Sequence, residues 1–241
     1  MSEPKPDFST LGYLLPHINR EGLKFGGIAL LIAIAVAILA THFYYLGWLV
    51  VPLFLLAYGV FLFFRDPERY PPEEENAILS PADGRICLIE ECELPDAIGE
   101  MTKGADGEPV KKYWRVSVFM SVFNVHVNRM PTAGEIIKKD YVAAGKFFNA
   151  SLDKASKENE RCNYLIKAPN GQLYGVTQIA GLVARRIVPQ VEEGQTLARA
   201  ERFGLIRFGS RLDVYLPEGV KPCVRLGQTM VAGETVLGMF N

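Results

Sequence analysis

The chain has 241 residues, with 26 Lys plus Arg against 27 Asp plus Glu, for a formal net charge of −1. That length suits one sizeable domain plus an appendage, and the balanced charge argues against the basic face that nucleic-acid binding needs. Cys87, Cys92, Cys162 and Cys223 form no Cys-x-x-Cys pair and have no His at ligand spacing, so no metal site is expected and the thiols read as reduced.

Residues 1–24 carry Pro4, Pro6 and Pro16 and read as a loosely ordered arm on a lipid surface. From Phe25 to Phe64 there is no Asp, Glu, Lys or Arg. This run, 25–64, is about twice the ~20 residues one helix needs to cross hydrocarbon. A turn at His42–Trp48 divides it into arms over Phe25–Thr41 and Gly47–Phe64, a hairpin that either spans the bilayer or enters it shallowly. Arg20 and Lys24 precede the run and Arg65 and Arg69 follow it, which places both flanks on the cytoplasmic side of a cell membrane. Residues 65–72, rich in proline, form a linker.

Residues 73–241 read as one mainly β domain, barrel- or sandwich-like, of short strands between glycine-marked turns. Candidate strands are Gly84–Glu90, Tyr113–Val127, Gly134–Lys139, Asn163–Ala168, Leu173–Ile179, Arg186–Val188, Leu205–Phe208, Arg211–Leu216 and Thr235–Met239. The stretch Trp114–Val127 is apolar on both parities and predicts a long central strand, bent or bulged, with His126 on the face of Val116, Val118, Met120 and Val122. Helix is expected only at Ala155–Arg161. Glu193-Gly-Gln-Thr-Leu-Ala198 and Leu226-Gly-Gln-Thr-Met-Val231 echo each other, like the hairpins of a lipoyl- or biotin-carrier sandwich. A carrier, however, presents a modifiable lysine where this chain has Phe208-Gly-Ser-Arg211.

Three stretches stand out: Ser80-Pro-Ala-Asp-Gly-Arg85, Phe123-Asn-Val-His-Val-Asn-Arg129 and Arg207-Phe-Gly-Ser-Arg211. Singly, Asp83 is a turn residue, His126 a core histidine and Gly209-Ser210 a turn. Together they resemble the phosphatidylserine decarboxylase proenzymes of the compact type. Asn159-Glu-Arg161 also resembles a motif of that family. Longer bacterial members carry a second histidine where this chain has Phe123.

The resemblance implies self-cleavage between Gly209 and Ser210 into a β chain of residues 1–209 and an α chain of 210–241. Ser210 attacks the Gly209 carbonyl, and the peptide bond shifts to an ester. Elimination leaves dehydroalanine, and hydrolysis with loss of ammonia yields a covalent pyruvoyl group at residue 210, the implied cofactor. A serine hydroxyl needs a base. His126 is the only histidine in the domain, and a carboxylate commonly holds such an imidazole. The match assigns that acid to Asp83, giving an Asp83–His126–Ser210 relay. The pyruvoyl ketone would form a Schiff base with the amine of membrane phosphatidylserine and draw off the electrons released with CO₂, leaving phosphatidylethanolamine. His126 is the first candidate to return the proton. The segment 141–161, with Phe147 and Phe148, reads as a loop beside the lipid site or as packing. Two other readings remain: decarboxylation of another amine, and a non-enzymatic carrier-like module tethered to the membrane. No nucleic-acid partner is expected, and a homo-oligomer is left open.

Overall fold

The computed structural model describes residues 17–99, 112–143, 159–181, 186–207 and 209–240. The expected loop around Phe147 and Phe148 lies outside them, as do positions 155–158 of the expected helix. Contacts divide the chain into two units, Met1–Glu68 and Arg69–Asn241.

In the first unit, α1 (Arg20–Ala40) and α2 (Gly47–Phe63) are joined by a 3₁₀ turn over Tyr44–Leu46. Helix α1 starts five residues before the uncharged run, because Asn19 caps it: the Asn19 side chain accepts from the Glu21 amide at 3.1 Å. Apart from Phe63 at the base of α2, the buried residues are small, among them Ala33 and Ala57, while Leu31, Leu55 and Trp48 are exposed. A helical pair that is apolar outside and small inside suits a lipid solvent better than a water-facing one. Both helices are long and apolar enough to span or anchor in a membrane. Their base is tied by Asn19 N–H to the Phe64 carbonyl (2.9 Å), Asp66 N–H to the His17 carbonyl (2.7 Å), and a bridge between Ile18 and Arg65.

The second unit is mainly β. Its strands are β1 (Ala77–Leu79), β2 (Gly84–Cys92), β3 (Tyr113–Met120), β4 (Val127–Arg129), β5 (Gly134–Val142), β6 (Arg161–Lys167) and β7 (Leu173–Ala180). They continue with β8 (Arg186–Pro189), β9 (Thr196–Leu197), β10 (Arg202–Arg207), β11 (Ser210–Tyr215), β12 (Thr229–Met230) and β13 (Val236–Met239). A four-residue helix, α3 (Asp96–Gly99), follows β2. Eight strands form one sheet in the order β12-β2-β3-β11-β7-β6-β5-β9, beside a β4-β10-β8 sheet and a β1-β13 pair.

That order is a pseudo-two-fold repeat. Strands β2, β3, β11 and β12 in one half match β5, β6, β7 and β9 in the other. Both β2 and β5 carry a register shift two to four residues in, at Ile86/Leu88 and Ile136/Lys138. The two echoed Gly-Gln-Thr turns are equivalent: Gly194 N–H donates to the Ile136 carbonyl and Ile136 N–H to the Gln195 carbonyl, as Gly227 and Gln228 do with Ile86. The second half is contiguous from β4 to β10 and is inserted between β3 and β11 of the first. The halves meet where β11 pairs antiparallel with β7, from Ser210↔Ala180 to Tyr215↔Gly175.

Two expectations are corrected. The long strand over Tyr113–Val127 ends at Met120, and the chain resumes as β4 in another sheet. The cause is Asn124, whose side-chain oxygen accepts from both the Ser121 amide (2.9 Å) and the Ser121 hydroxyl (2.8 Å), closing a turn in place of a ladder. Arg161, expected in a helix, opens β6 and pairs with Ile179. The tightest backbone approach is at Gly84, where a Cβ would lie 2.1 Å from the Phe119 carbonyl oxygen.

Strand β11 alternates cleanly. Leu212 and Val214 enter the main core with Met120, Tyr164 and Phe203. On the opposite face Arg211 and Asp213, 1 % and 0 % exposed, form a two-pronged ion pair at 2.7 and 2.8 Å, extended through Arg115 to Glu90. Burial works against the Arg211 charge, but hydrogen bonding and charge attraction to Asp213 together more than offset it and raise the pKa above its ordinary value. Removing one partner of a buried pair strands the other. Asp213→Ala is therefore expected to cost about 3–5 kcal/mol in denaturant unfolding. An unchanged midpoint would show that the pair is not buried in the working fold.

Candidate active site

The site is at the open end of the β11/β7/β3 ladder. Ser210 is the first residue of β11, paired with Met120 on one side and Ala180 on the other, and is fully buried. Its hydroxyl donates weakly to the Met120 sulfur at 3.9 Å. Beneath it runs a buried polar chain. Asn128 Nδ2 donates to the same sulfur at 3.8 Å, Gln178 Nε2 donates to Asn128 Oδ1 at 2.7 Å, and the Tyr164 hydroxyl donates to Gln178 Oε1 at 3.0 Å. Such a chain fixes side chains that would each be costly to bury alone.

Gly209 precedes Ser210 with φ at +70°, the left-handed region that glycine alone enters without penalty. A Cβ there would meet nothing closer than Val122 Cγ1 at 4.0 Å, so backbone conformation rather than space calls for glycine. The Gly209 amide donates to His126 Nε2 at 3.1 Å, and His126 Nδ1 lies 2.9 Å from the Asn124 carbonyl. Those partners specify one neutral tautomer: Nδ1 carries the proton, and the Nε2 lone pair faces the Gly209–Ser210 segment. The Asn124 turn that ends β3 is thus what aims His126, itself only 2 % exposed.

The structure therefore brings Gly209, Ser210 and His126 together. Asp83 has other partners: its carboxylate accepts from Arg69 Nη2 at 2.8 and 2.9 Å and from the Ala232 amide at 2.8 Å. Among the described residues no hydrogen bond joins Asp83 to His126. Arg69, assigned from sequence only as a flank of the apolar run, is the residue that reading missed. Its partner lies fourteen positions away, and no local pattern marks the pair.

Burial raises both Cys87 and Cys162, the latter to about 11, so both are thiols rather than thiolates near neutrality. No cluster of three His, Cys, Asp or Glu side chains able to hold a metal occurs among the described residues. What the arrangement offers is the set local acyl chemistry needs: a buried serine hydroxyl, the preceding glycyl carbonyl, and an imidazole hydrogen-bonded to that glycine.

The family model described as phosphatidylserine decarboxylase matches residues 57–238. The chain is 52 % identical over 229 residues to the phosphatidylserine decarboxylase proenzyme of Erythrobacter litoralis, covering 94 % of this chain and 89 % of that one. It is 53 % identical over 223 residues to the proenzyme of the same name from Ruegeria pomeroyi, covering 92 % and 95 %. With Novosphingobium aromaticivorans the figures are 49 % over 232 residues, 95 % and 88 %. The left-handed Gly209-Ser210 turn under His126 and this similarity along nearly the whole chain agree: the protein belongs to the phosphatidylserine decarboxylase family.

Proposed function

We propose that the chain is a self-processing decarboxylase that converts phosphatidylserine to phosphatidylethanolamine and CO₂. Cleavage falls between Gly209 and Ser210, giving residues 1–209 and 210–241, and residue 210 becomes the pyruvoyl group. The observation that carries this reading is the hydrogen bond from the Gly209 amide to His126 Nε2, which holds the acceptor nitrogen one residue from Ser210; that lone pair passes from the Gly209 N–H to the Ser210 hydroxyl for the proton to move.

The residues at the cut fit a pyruvoyl group. Serine is its chemical precursor, the left-handed glycine before it exposes the carbonyl to be attacked, and ladders on both sides hold residue 210 after the cut. Once formed, the group supplies an electrophilic ketone as an electron sink. The remaining chemistry belongs to this chain's side chains. His126 takes the Ser210 hydroxyl proton as Oγ attacks the Gly209 carbonyl carbon, and stands ready to move a proton at the substrate carbon. The burial of Ser210 against Met120 favours loss of CO₂ by keeping water from the reacting group. Asp83 enters the relay by the motif match. With its carboxylate on Arg69, it supports His126 once that contact is exchanged. The helical pair anchors the domain at the membrane, where a lipid substrate resides, with the domain on the cytoplasmic side. The paired Gly-Gln-Thr turns support a carrier-like scaffold, but Gly209-Ser210 lies apart from both, on the link from β10 to β11, and no lysine occupies that place.

Intact-mass analysis of detergent-purified protein, followed by lipid turnover, tests the reading. Two chains split after Gly209, the smaller lacking the Ser210 amine, together with release of CO₂ from phosphatidylserine vesicles, are expected. Turnover of free serine with none of the lipid would redirect it to a soluble amine. Ser210→Ala is expected to remain one inactive chain of 241 residues, and its normal processing would sink the mechanism. His126→Ala is expected to slow maturation by about 10²–10⁴-fold, the range for a lost general base. Wild-type kinetics would remove His126 from the relay. Asp83→Asn should act in the same direction, and an unaffected rate would leave Asp83 as the partner of Arg69 and Ala232 only.

A further inference from the structure

Attack on the Gly209 carbonyl puts a negative charge on its oxygen, and something must meet that charge. In the structure the Gly209 carbonyl already accepts a hydrogen bond from the Gly181 amide at 3.1 Å. The carbonyl of the same peptide group, that of Ala180, accepts from Asn159 Nδ2 at 2.7 Å. Asn159 is fully buried. We propose that the Ala180–Gly181 peptide is the oxyanion donor for chain cleavage, and that Asn159 positions it.

Three features support the assignment. First, the donor is fixed by register: β7 and β11 pair through Ala180↔Ser210, and Gly181–Gly209 is the next step of that ladder, so no reorganisation is needed as charge develops. Second, Asn159 Nδ2, the Ala180 carbonyl, the Gly181 N–H and the Gly209 carbonyl form a chain in which each hydrogen bond polarises the next. Third, the segment bearing Asn159 is pinned. The Glu160 carbonyl accepts from the Ala180 amide at 2.9 Å, and Glu160 Oε1 accepts from the Ile187 amide at 2.7 Å and from the Tyr141 hydroxyl at 2.6 Å. Asn159 and Glu160 thus hold both ends of residue 180, which gives Asn159-Glu160-Arg161 a task that its sequence alone does not disclose.

The step balances without any co-reactant. The Ser210 Oγ proton passes to the base, Oγ bonds to the Gly209 carbonyl carbon, and the Gly209 oxygen carries the charge under the Gly181 N–H. The carbon–nitrogen bond to Ser210 then breaks, and that nitrogen takes up a proton. The inference rests on the self-cleavage reading above and adds the group that stabilises its first intermediate. Asn159 is a positioning residue, since it acts through the peptide and touches no reacting atom.

The test replaces Gly181 with glycolic acid in the full chain, made by nonsense suppression in cell-free translation with lipid nanodiscs. This exchanges one N–H for an ester oxygen. Cleavage is followed by intact mass beside the wild type, with Asn159→Ala made in both backgrounds. The ester is expected to slow cleavage by about 10²-fold, as loss of a single oxyanion donor does. Asn159→Ala should slow the amide chain but add little in the ester chain, because its effect travels through the missing N–H. Hydroxylamine, which opens an ester once formed, should not restore Asn159→Ala, since that variant is held before the ester. Wild-type rates for the ester chain would overturn the donor assignment. Equal costs of Asn159→Ala in the two backgrounds, or rapid hydroxylamine cleavage after Gly209 in the all-amide Asn159→Ala chain, would remove Asn159 from it. If the ester chain fails to fold, a wild-type cleavage rate in Asn159→Ala still overturns the proposal. A wild-type chain that stays uncut while folded would instead sink the cleavage reading, and this inference with it.

Discussion

The antiparallel pairing of β11 with β7 is the constraint on which the rest of the domain depends. It is the seam between the two pseudo-equivalent halves, and its end carries the segment proposed to react. Six consecutive pairs from Ser210↔Ala180 to Tyr215↔Gly175, with β3 pairing on the other side of β11, leave Ser210 no freedom to slide. A one-residue slip would turn Leu212 and Val214 out of the core and force Arg211 and Asp213 into it. The sheet therefore fixes where the hydroxyl lies before any catalytic group is considered.

The ladder also has to stop at the right place. Gly209 leaves the strand conformation with φ at +70°, and β3 stops at Met120, opposite Ser210, because the Asn124 side chain closes a turn. The same turn offers the Asn124 carbonyl to His126 Nδ1, so one local interaction both ends a strand and selects an imidazole tautomer. The polar groups beneath, Asn128, Gln178 and Tyr164, belong to different strands and satisfy one another. The turn at Gly209-Ser210 is thus carried by a scaffold whose own polar atoms are largely accounted for.

Much of this was legible in the sequence, for identifiable reasons. A charge-free run of about two helix lengths has few other uses. The paired Gly-Gln-Thr turns announced a repeated hairpin, and both fall at the same step of their halves. That Gly209 and His126 would lie close together could be expected from the motif match, and the hydrogen bond between them is in keeping with it. What sequence could not reveal depends on distant partners. Asn124 looked like one residue in an apolar run, and only its side-chain bonds to Ser121 split the expected strand. The insertion of one half within the other leaves no local mark. Arg69 reads as a membrane flank until its guanidinium meets Asp83. The Gly181 amide has no side chain to advertise it.

The proposed cleavage poses a last mechanical problem, since a cut before Ser210 would remove the covalent hold on the residue that must stay most precisely placed. The structure answers it on the C-terminal side of the cut. Leu212 and Val214 are fully buried in the main core, and the Arg211–Asp213 pair is buried on the opposite face. Beyond β11, β12 pairs with β2 and β13 pairs with β1, so the short C-terminal chain re-enters the sheet system at two further points. A terminus held by backbone ladders on both edges and by packing on both faces loses little order when one peptide bond opens. The pseudo-two-fold insertion makes this arrangement available: because the first half is completed only after the second has been inserted, β11 reaches the sheet centre from outside, and its first residue can become a chain end without dismantling either half.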